Sequence, residues 1–144
     1  MELIDRMREF VLSYPGWEAG GLLFLDYTDG VPGNGGLFPA GVTEVSFRED
    51  ILGNRQADMR LQVFLYRCGA EEEKDARWLL DFQNWVAAQC ALGNAPRLGD
   101  VPFRERLRAE KGKLVKTRGE GNLYSVMLTA EFTKTYEVNE NGEN

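Results

Sequence analysis

The feature that most constrains the fold is a strict alternation of apolar and other side chains in the middle of the chain. The order is Met59, Arg60, Leu61, Gln62, Val63, Phe64, Leu65 and Tyr66. A period of two places successive side chains on opposite faces of a strand, so the first, third, fifth and seventh of these residues share one face. Because that face is wholly apolar, the pattern predicts a strand with one face in the core.

Two other segments carry apolar residues at the three- and four-residue spacing of amphipathic helices. The first ends at Pro15-Gly16, and its apolar residues are Leu3, Ile4, Met7, Phe10, Val11 and Tyr14. The second ends at residues 93–96, and its apolar face comprises Trp78, Leu79, Phe82, Trp85, Val86 and Cys90. Four carboxylates precede this face, at Glu71, Glu72, Glu73 and Asp75. Carboxylates favour the positive end of a helix dipole, so we expect these to form a solvated helix start.

Shorter patterns predict the remaining elements. Strands are expected at residues 22–25, 42–47, about 103–118 and about 123–138, with a turn at 119–122 joining the last two. Residues 29–41 contain five glycines and two prolines, which predicts a long irregular loop. The resulting order is helix, three strands, helix, two strands. It predicts an α+β fold class, with a mainly antiparallel sheet of about four to five strands and two helices packed on one face.

The length of 144 residues fits one domain with its own core. We expect the domain to span residues 1–138 and the polar residues 139–144 to fray. No stretch of 18 or more apolar residues is present, and the first six residues lack the apolar segment of a signal peptide. These features predict a cytosolic protein without a membrane partner, and reduced thiols at Cys68 and Cys90.

Composition also bears on function. The chain contains no histidine, which removes the commonest general base and the commonest metal ligand. No carboxylate has a partner at a spacing that indicates acid–base chemistry. We therefore predict no enzymatic activity, and assign no catalytic, cofactor-binding or metal-binding residue. The net charge of −6 argues against specific nucleic-acid binding, which normally rests on a basic face.

One predicted strand concentrates positive charge. It holds 7 of the 17 basic residues, namely Arg104, Arg106, Arg108, Lys111, Lys113, Lys116 and Arg118. Only Glu105 and Glu110 oppose them, so residues 104–118 carry a net charge of +5 and the rest of the chain carries −11. The three arginines are expected to share one strand face.

Two interpretations of this basic strand have equal weight. Its charge suits contact with an acidic partner surface, such as a neighbouring copy of the chain. Equally, Lys and Arg on an edge strand discourage unwanted sheet pairing. DNA binding ranks third, because no aromatic residues are interleaved with the basic ones and the overall field repels nucleic acid.

Taken together, these segments resemble a known family. The opening helix Leu3–Phe10, the glycine-rich stretch between strands, the strand Asp58–Arg67, a Trp-rich helix and the closing strand Tyr124–Phe132 cover nearly the whole chain. In this order they are similar to the tail-terminator proteins, also called tail-completion or minor capsid proteins, of siphophages and of prophages in Gram-positive bacteria.

The resemblance implies a structural role in virion assembly. Such a protein forms a ring, usually of six subunits, that caps the last tail-tube ring, ends tail elongation and offers a head–tail joining surface. The implied partners are other copies of the chain, the tail-tube protein and a head-connector protein. The implied location is the host cytoplasm during assembly and then the neck of the virion. The basic strand and the loop glycines Gly33, Gly35 and Gly36 would be the candidate subunit contacts.

Two alternatives remain open on the sequence. The first is a head-side neck or head-completion protein, which shares size, acidity and the lack of an active site. The second is a small ligand-binding or enzymatic α+β domain with a pocket under the loop at 29–41. A deep polar pocket there would support it, and a shallow surface would count against it.

Overall fold

The computed structural model of the chain describes residues 2–17, 21–118 and 121–137. Its elements, in chain order, are α1 (Leu3–Leu12), β1 (Leu23–Leu25), β2 (Gly35–Glu49), β3 (Arg55–Gly69), α2 (Glu72–Ala91), a short 3₁₀ helix (Pro102–Arg104), β4 (Arg106–Arg118) and β5 (Gly121–Tyr136). The predicted α+β class and the predicted order of helices and strands are confirmed. The tail at 139–144 lies outside the described residues.

The five strands form one sheet in the order β1-β2-β3-β5-β4. Only β1 and β2 pair in parallel, and the other neighbours are antiparallel. The centre of the sheet is formed by its three longest strands, β2, β3 and β5, and β4 forms one edge. The sheet is therefore mixed but mainly antiparallel.

The core lies between one face of the sheet and the two helices. Leu61, Val63 and Leu65 of β3 are at most 3% exposed, so the predicted core face of this strand is confirmed. From the helices, Met7 and Phe82 are both fully buried in the same apolar cluster. We call the sheet face on this side the helix face and the opposite one the outer face.

The prediction of an irregular loop over residues 29–41 is wrong in its second half. Strand β2 begins at Gly35, and Leu37 is fully buried and paired with Leu65. Pairing with β1 and β3 on both sides outweighs the local turn preference of glycine. Pro39 is tolerated because it stands beside a bulge, just past the last residue that pairs with β1.

Two features of the last two strands, the start of β4 and the burial of β5, depend on their neighbours in the fold. β4 begins at Arg106 instead of about residue 103, because Pro102 opens a 3₁₀ turn. On the outer face of β5, Ser125, Thr129 and Thr133 are at most 4% exposed. β5 lies between two long strands, so their side chains cover its small polar residues.

Candidate subunit interface

The basic strand β4 lies at an edge of the sheet and pairs only with β5 among the described residues. Two register shifts interrupt the pairing, between Glu110 and Lys113 and between Leu114 and Lys116. At the first of them Lys111 adopts a positive φ of 57°. Bulges and lysines of this kind discourage backbone pairing with another sheet, while they leave the side chains free for contact.

The pairing register places the basic side chains. Arg106, Arg108 and Lys113 are aligned with Glu131, Thr129 and Ser125 of β5, which puts them on the outer face. Arg104 does not share the strand, since it ends the 3₁₀ helix, so that expectation is wrong. Its guanidinium nevertheless lies 3.7 Å from a carboxylate oxygen of Asp58 on the same face. Lys116 and Arg118 continue the backbone of β4, and their side chains lie outside what the structure describes.

Acidic side chains on the outer face neutralise only part of the positive charge of β4 and Arg104. Arg108 lies 3.6 Å from a carboxylate oxygen of Glu131, which also has Arg60 at 4.0 Å. Arg106 donates to the carbonyl oxygens of Phe103 and Glu105. Lys111 and Lys113 are exposed, and no ion pair involves them within residues 2–17, 21–118 and 121–137. The edge therefore presents surplus positive charge to solvent.

Aromatic rings share the outer face but stand apart from the basic strand. Phe38, Phe64 and Tyr66 lie on β2 and β3, and β5 separates them from β4. The rings of Phe38 and Tyr66 pack edge-on at a centroid distance of 5.0 Å. The rings are thus engaged with one another.

The three loop glycines proposed as contacts are all buried. Gly35 and Gly36 lie in β2, where an added Cβ would stand 2.4 Å from the carbonyl oxygen of Tyr66 and 2.1 Å from that of Tyr27, respectively. Gly33 has a φ of 92° and donates its amide to the carbonyl oxygen of Cys68. Close backbone approach and a left-handed conformation explain these glycines. We therefore leave Gly33, Gly35 and Gly36 out of the contact surface.

At the other side of the sheet, β2 and β3 form a hairpin, and we call residues 42–58 of it the arm. β1 pairs only with residues 35–37 of β2, so this part of β2 is a second free edge within the described chain. Five of its large apolar residues are exposed, namely Val42, Val45, Phe47, Ile51 and Leu52. The sequence signal for this surface is the apolar pair Ile51-Leu52 directly before the turn residues Gly53-Asn54, and this surface was not among the predicted contacts.

A hydrogen-bonded turn holds the tip of the arm. The carboxylate of Asp50 accepts bonds from the backbone amides of Leu52 and Asn54, at 2.9 and 3.0 Å, and from the side chain of Asn54. Ile51 is fully exposed and Leu52 is 75% exposed. The turn thus holds two aliphatic side chains in solvent in a defined geometry, which is unusual for a turn.

At the base of the arm, the carboxylate of Asp58 accepts several hydrogen bonds on the outer face. Arg48 contacts both of its oxygens, at 2.8 and 3.1 Å, and the hydroxyls of Ser46 and Thr133 donate to it at 2.7 and 2.8 Å. These bonds, with Arg48 contributing most, hold the pKa of Asp58 well below its ordinary value of 3.8. Asp58, which lies on β3, therefore links β2 through Ser46 and Arg48 and β5 through Thr133.

The lowered pKa of Asp58 has a consequence for stability against acid. A carboxylate whose folded-state pKa is depressed stabilises the fold above its unfolded pKa, and that contribution is lost as the pH falls. We expect Asp58→Asn to lower the free energy of unfolding at pH 6, and the difference from the unaltered protein to shrink as the pH falls below about 4. Urea unfolding at constant ionic strength from pH 6 to pH 2 measures this. A difference that stays constant over the range would contradict it.

A second region, missed by the sequence analysis, lies where β3 ends and α2 begins. Arg67 and Asp75 are 7% and 5% exposed, and their side chains form an ion pair at 3.1 Å. The guanidinium also lies over the ring of Trp78, 4.4 Å from its centroid. Asp75 was expected to belong to a solvated helix start and does not, because it lies on the turn of α2 that packs against β3.

This ion pair borders a cavity of about 290 Å³. Its walls include Gly16, Pro32, Gly33 and Lys74 besides the ion pair and Trp78. It lies beside the loop that the ligand-binding alternative places over a pocket. The two buried charges are directed at each other, which indicates that they join β3 to α2.

Three other observations complete the chemical description. Within the described residues, no group of three or more His, Cys, Asp or Glu side chains is placed to hold a metal ion. Cys68 and Cys90 are free thiols, and burial raises the pKa of Cys90, whose thiol donates to the carbonyl oxygen of Leu107. None of the described helices has the length and apolar character needed to cross a membrane.

Comparisons with known proteins do not identify a family for this chain. No protein-family model matches the sequence, and no curated protein matches it significantly.

Proposed function

We propose that the chain is an assembly protein of a tailed bacteriophage or prophage, a tail terminator that works as a ring. In this proposal it caps the tail tube, ends tail elongation and offers the surface on which the head connector docks. Its partners are further copies of itself, the tail-tube protein and the head-connector protein. The proposal rests on the resemblance described above and on the surface of the fold.

The observation that carries the proposal is the presence of two unlike surfaces at opposite sides of one sheet. A closed ring of identical subunits uses a heterologous interface, in which one surface of a subunit meets a different surface of the next. The basic edge β4 and the apolar arm are such a pair of surfaces. The charge division, +5 for residues 104–118 and −11 for the remainder, adds electrostatic attraction between copies.

The test is electron microscopy of particles made after this gene is disabled in an inducible phage that carries it, with tail length and head attachment scored separately. A terminator predicts tail tubes of uncontrolled length beside tailless, DNA-filled heads. Tails of normal length left unattached would instead assign the chain to the head side of the neck. Intact infectious particles would overturn both assembly roles.

Complementation of the disabled gene tests the basic surface within the same experiment. We expect the unaltered gene to restore normal particles and the variant Arg104→Glu/Arg106→Glu/Arg108→Glu to fail, because three reversed charges repel the acidic partner surface. The purified variant should keep its fold, since all three side chains are exposed. Full restoration by a folded variant would show that this surface is not a subunit contact.

A further inference from the structure

We infer that the apolar tip of the arm of one subunit docks against the basic edge strand β4 of the next copy of the chain. This inference rests on the proposed ring and names the two surfaces that would form its contact. The arm and β4 lie at opposite sides of the sheet, because the strand order is β1-β2-β3-β5-β4. The tip of the arm and the exposed residues Leu114 and Val115 of β4 therefore lie apart within one subunit, although Arg104, just before β4, is 3.7 Å from Asp58 at the base of the arm.

The apolar parts of the two surfaces match. The tip of the arm exposes Ile51 and Leu52, and β4 exposes Leu114 and Val115 at 46% and 45%. Val115 lies in the second register shift of β4, between Leu114 and Lys116. Apolar residues at a turn and at a bulge are removed from water when they pack against each other, and this supplies a driving force for association. Within the described part of one subunit, these side chains remain exposed.

The charges of the two surfaces are also complementary. The arm contains four acidic and two basic residues, a net charge of −2, whereas β4 contains six basic residues and one acidic residue, a net charge of +5. Within the arm, Arg48 forms an ion pair with Asp58, and Arg55 forms one with Glu44. Glu49 and Asp50, next to the apolar tip, remain as its acidic contribution.

The same charges disfavour the symmetric arrangements. Two β4 edges facing each other would bring net positive charge against net positive charge, and two arms would bring acidic tips together. The arm against β4 is the one pairing of these surfaces that joins opposite charges. The Asp50 turn holds the tip in position before contact, so little conformational entropy is lost on docking.

Cysteine cross-linking of the full chain tests this contact. In a Cys90→Ser background, we would prepare Leu52→Cys, Val115→Cys and the double variant, and treat each with a short bismaleimide at high protein concentration and low salt. We expect a covalent dimer when the two single variants are mixed and none when either is treated alone. The double variant should give a ladder beyond dimer, because each subunit contacts two neighbours.

Substitutions at the tip provide an independent measurement. We expect Ile51→Ser/Leu52→Ser to weaken self-association by at least tenfold in sedimentation velocity. The matched control Leu80→Ser/Leu92→Ser removes two leucines that are 62% and 72% exposed on α2 and at its end, and should leave association unchanged. Melting temperatures of both variants show that the fold is kept.

Three results would overturn the inference. The first is that Leu52→Cys alone cross-links to itself as efficiently as the mixture of the two single variants does. The second is that the tip variant associates as strongly as the unaltered protein, and the third is that the chain stays monomeric and uncross-linked at the highest attainable concentration. Each leaves the terminator proposal to be decided by the particle experiment, where disabling the gene reports on function without reference to this contact. A terminator phenotype with a dispensable tip would mean that the ring closes through other surfaces.

Discussion

Asp75→Ala is expected to lower the free energy of unfolding by about 3–5 kcal/mol, the cost of leaving one member of a buried ion pair without its partner. Asp75 and Arg67 are 5% and 7% exposed, so bulk solvent does little to screen the guanidinium that is left without its carboxylate. Among the described residues, the guanidinium of Arg67 would keep its contact with the ring of Trp78 but would have no paired carboxylate. Because a domain of this size has roughly 5–15 kcal/mol of stability in all, this is among the largest single effects in the chain.

The ion pair itself is expected to contribute much less than the cost of breaking it. Arg67 Nε and Asp75 Oδ2 have no hydrogen-bond partner among the described residues, so the pair recovers only part of its desolvation cost. We therefore expect the apolar double variant Arg67→Met/Asp75→Leu to be more stable than Asp75→Ala alone. Urea unfolding of the two variants measures this order.

The exposed pair Arg77–Glu73 on the same helix serves as the control. Its atoms lie at 2.7 Å, closer than those of the buried pair, but both side chains are more than 70% exposed. Glu73→Ala should change the stability little, because solvent screens such pairs. Equal losses in Glu73→Ala and Asp75→Ala would show that burial does not determine the effect.

Phe82→Ala is expected to have an effect of similar size, about 3–5 kcal/mol, because it opens a cavity in the core. Phe82 is fully buried. Its ring stacks on Trp78 at a centroid distance of 5.3 Å and meets Tyr14 edge-on at 5.2 Å. The substitution would remove the ring that joins α2 to the segment after α1, so the surrounding aromatics would lose contacts on several sides.

Thermal and urea unfolding of Phe82→Ala give this loss directly. Leu80→Ala is the matched control, since Leu80 lies two residues earlier on the same helix and is 62% exposed. We expect its stability to stay within about 0.5 kcal/mol of the unaltered protein. A loss below about 1 kcal/mol for Phe82→Ala would mean that the aromatic cluster repacks around the gap.

Much of the fold followed from periodicity. The alternation through Leu61, Val63 and Leu65 placed a core strand correctly, because a half-buried strand needs one apolar face whatever its neighbours are. The Trp-rich face of α2 was equally predictable, since a helix with a wide apolar stripe must cover a sheet or another helix. Burial of one face requires apolar residues at a regular spacing along a short segment, so these patterns can be recognised in the sequence.

The candidate contact surfaces were only partly predictable. The excess of Lys and Arg in β4 was visible as composition, but the 3₁₀ turn that removes Arg104 from the strand depends on how the chain enters the sheet. The arm was not predicted as a contact, because most of its apolar residues match those of an ordinary strand, and the pair Ile51-Leu52 before the turn was the one sign of an exposed apolar tip. Their exposure results from the short β1, because β2 has no strand beyond Leu37 on that side among the described residues and pairs there with β3 alone.

The sequence alone determined the fold class, the order of the elements, the core faces of β3 and α2 and the uneven charge, because each depends on the types and spacing of neighbouring residues. Only the tertiary structure decided that Gly35 and Gly36 belong to a buried strand, that Asp75 pairs with Arg67, and that the tip at Ile51 and Leu52 is exposed. Each of these depends on contacts between residues far apart in the chain. Such contacts leave no periodic trace in the sequence, since a glycine, a carboxylate or a leucine has the same local preferences whether or not a distant segment packs on it.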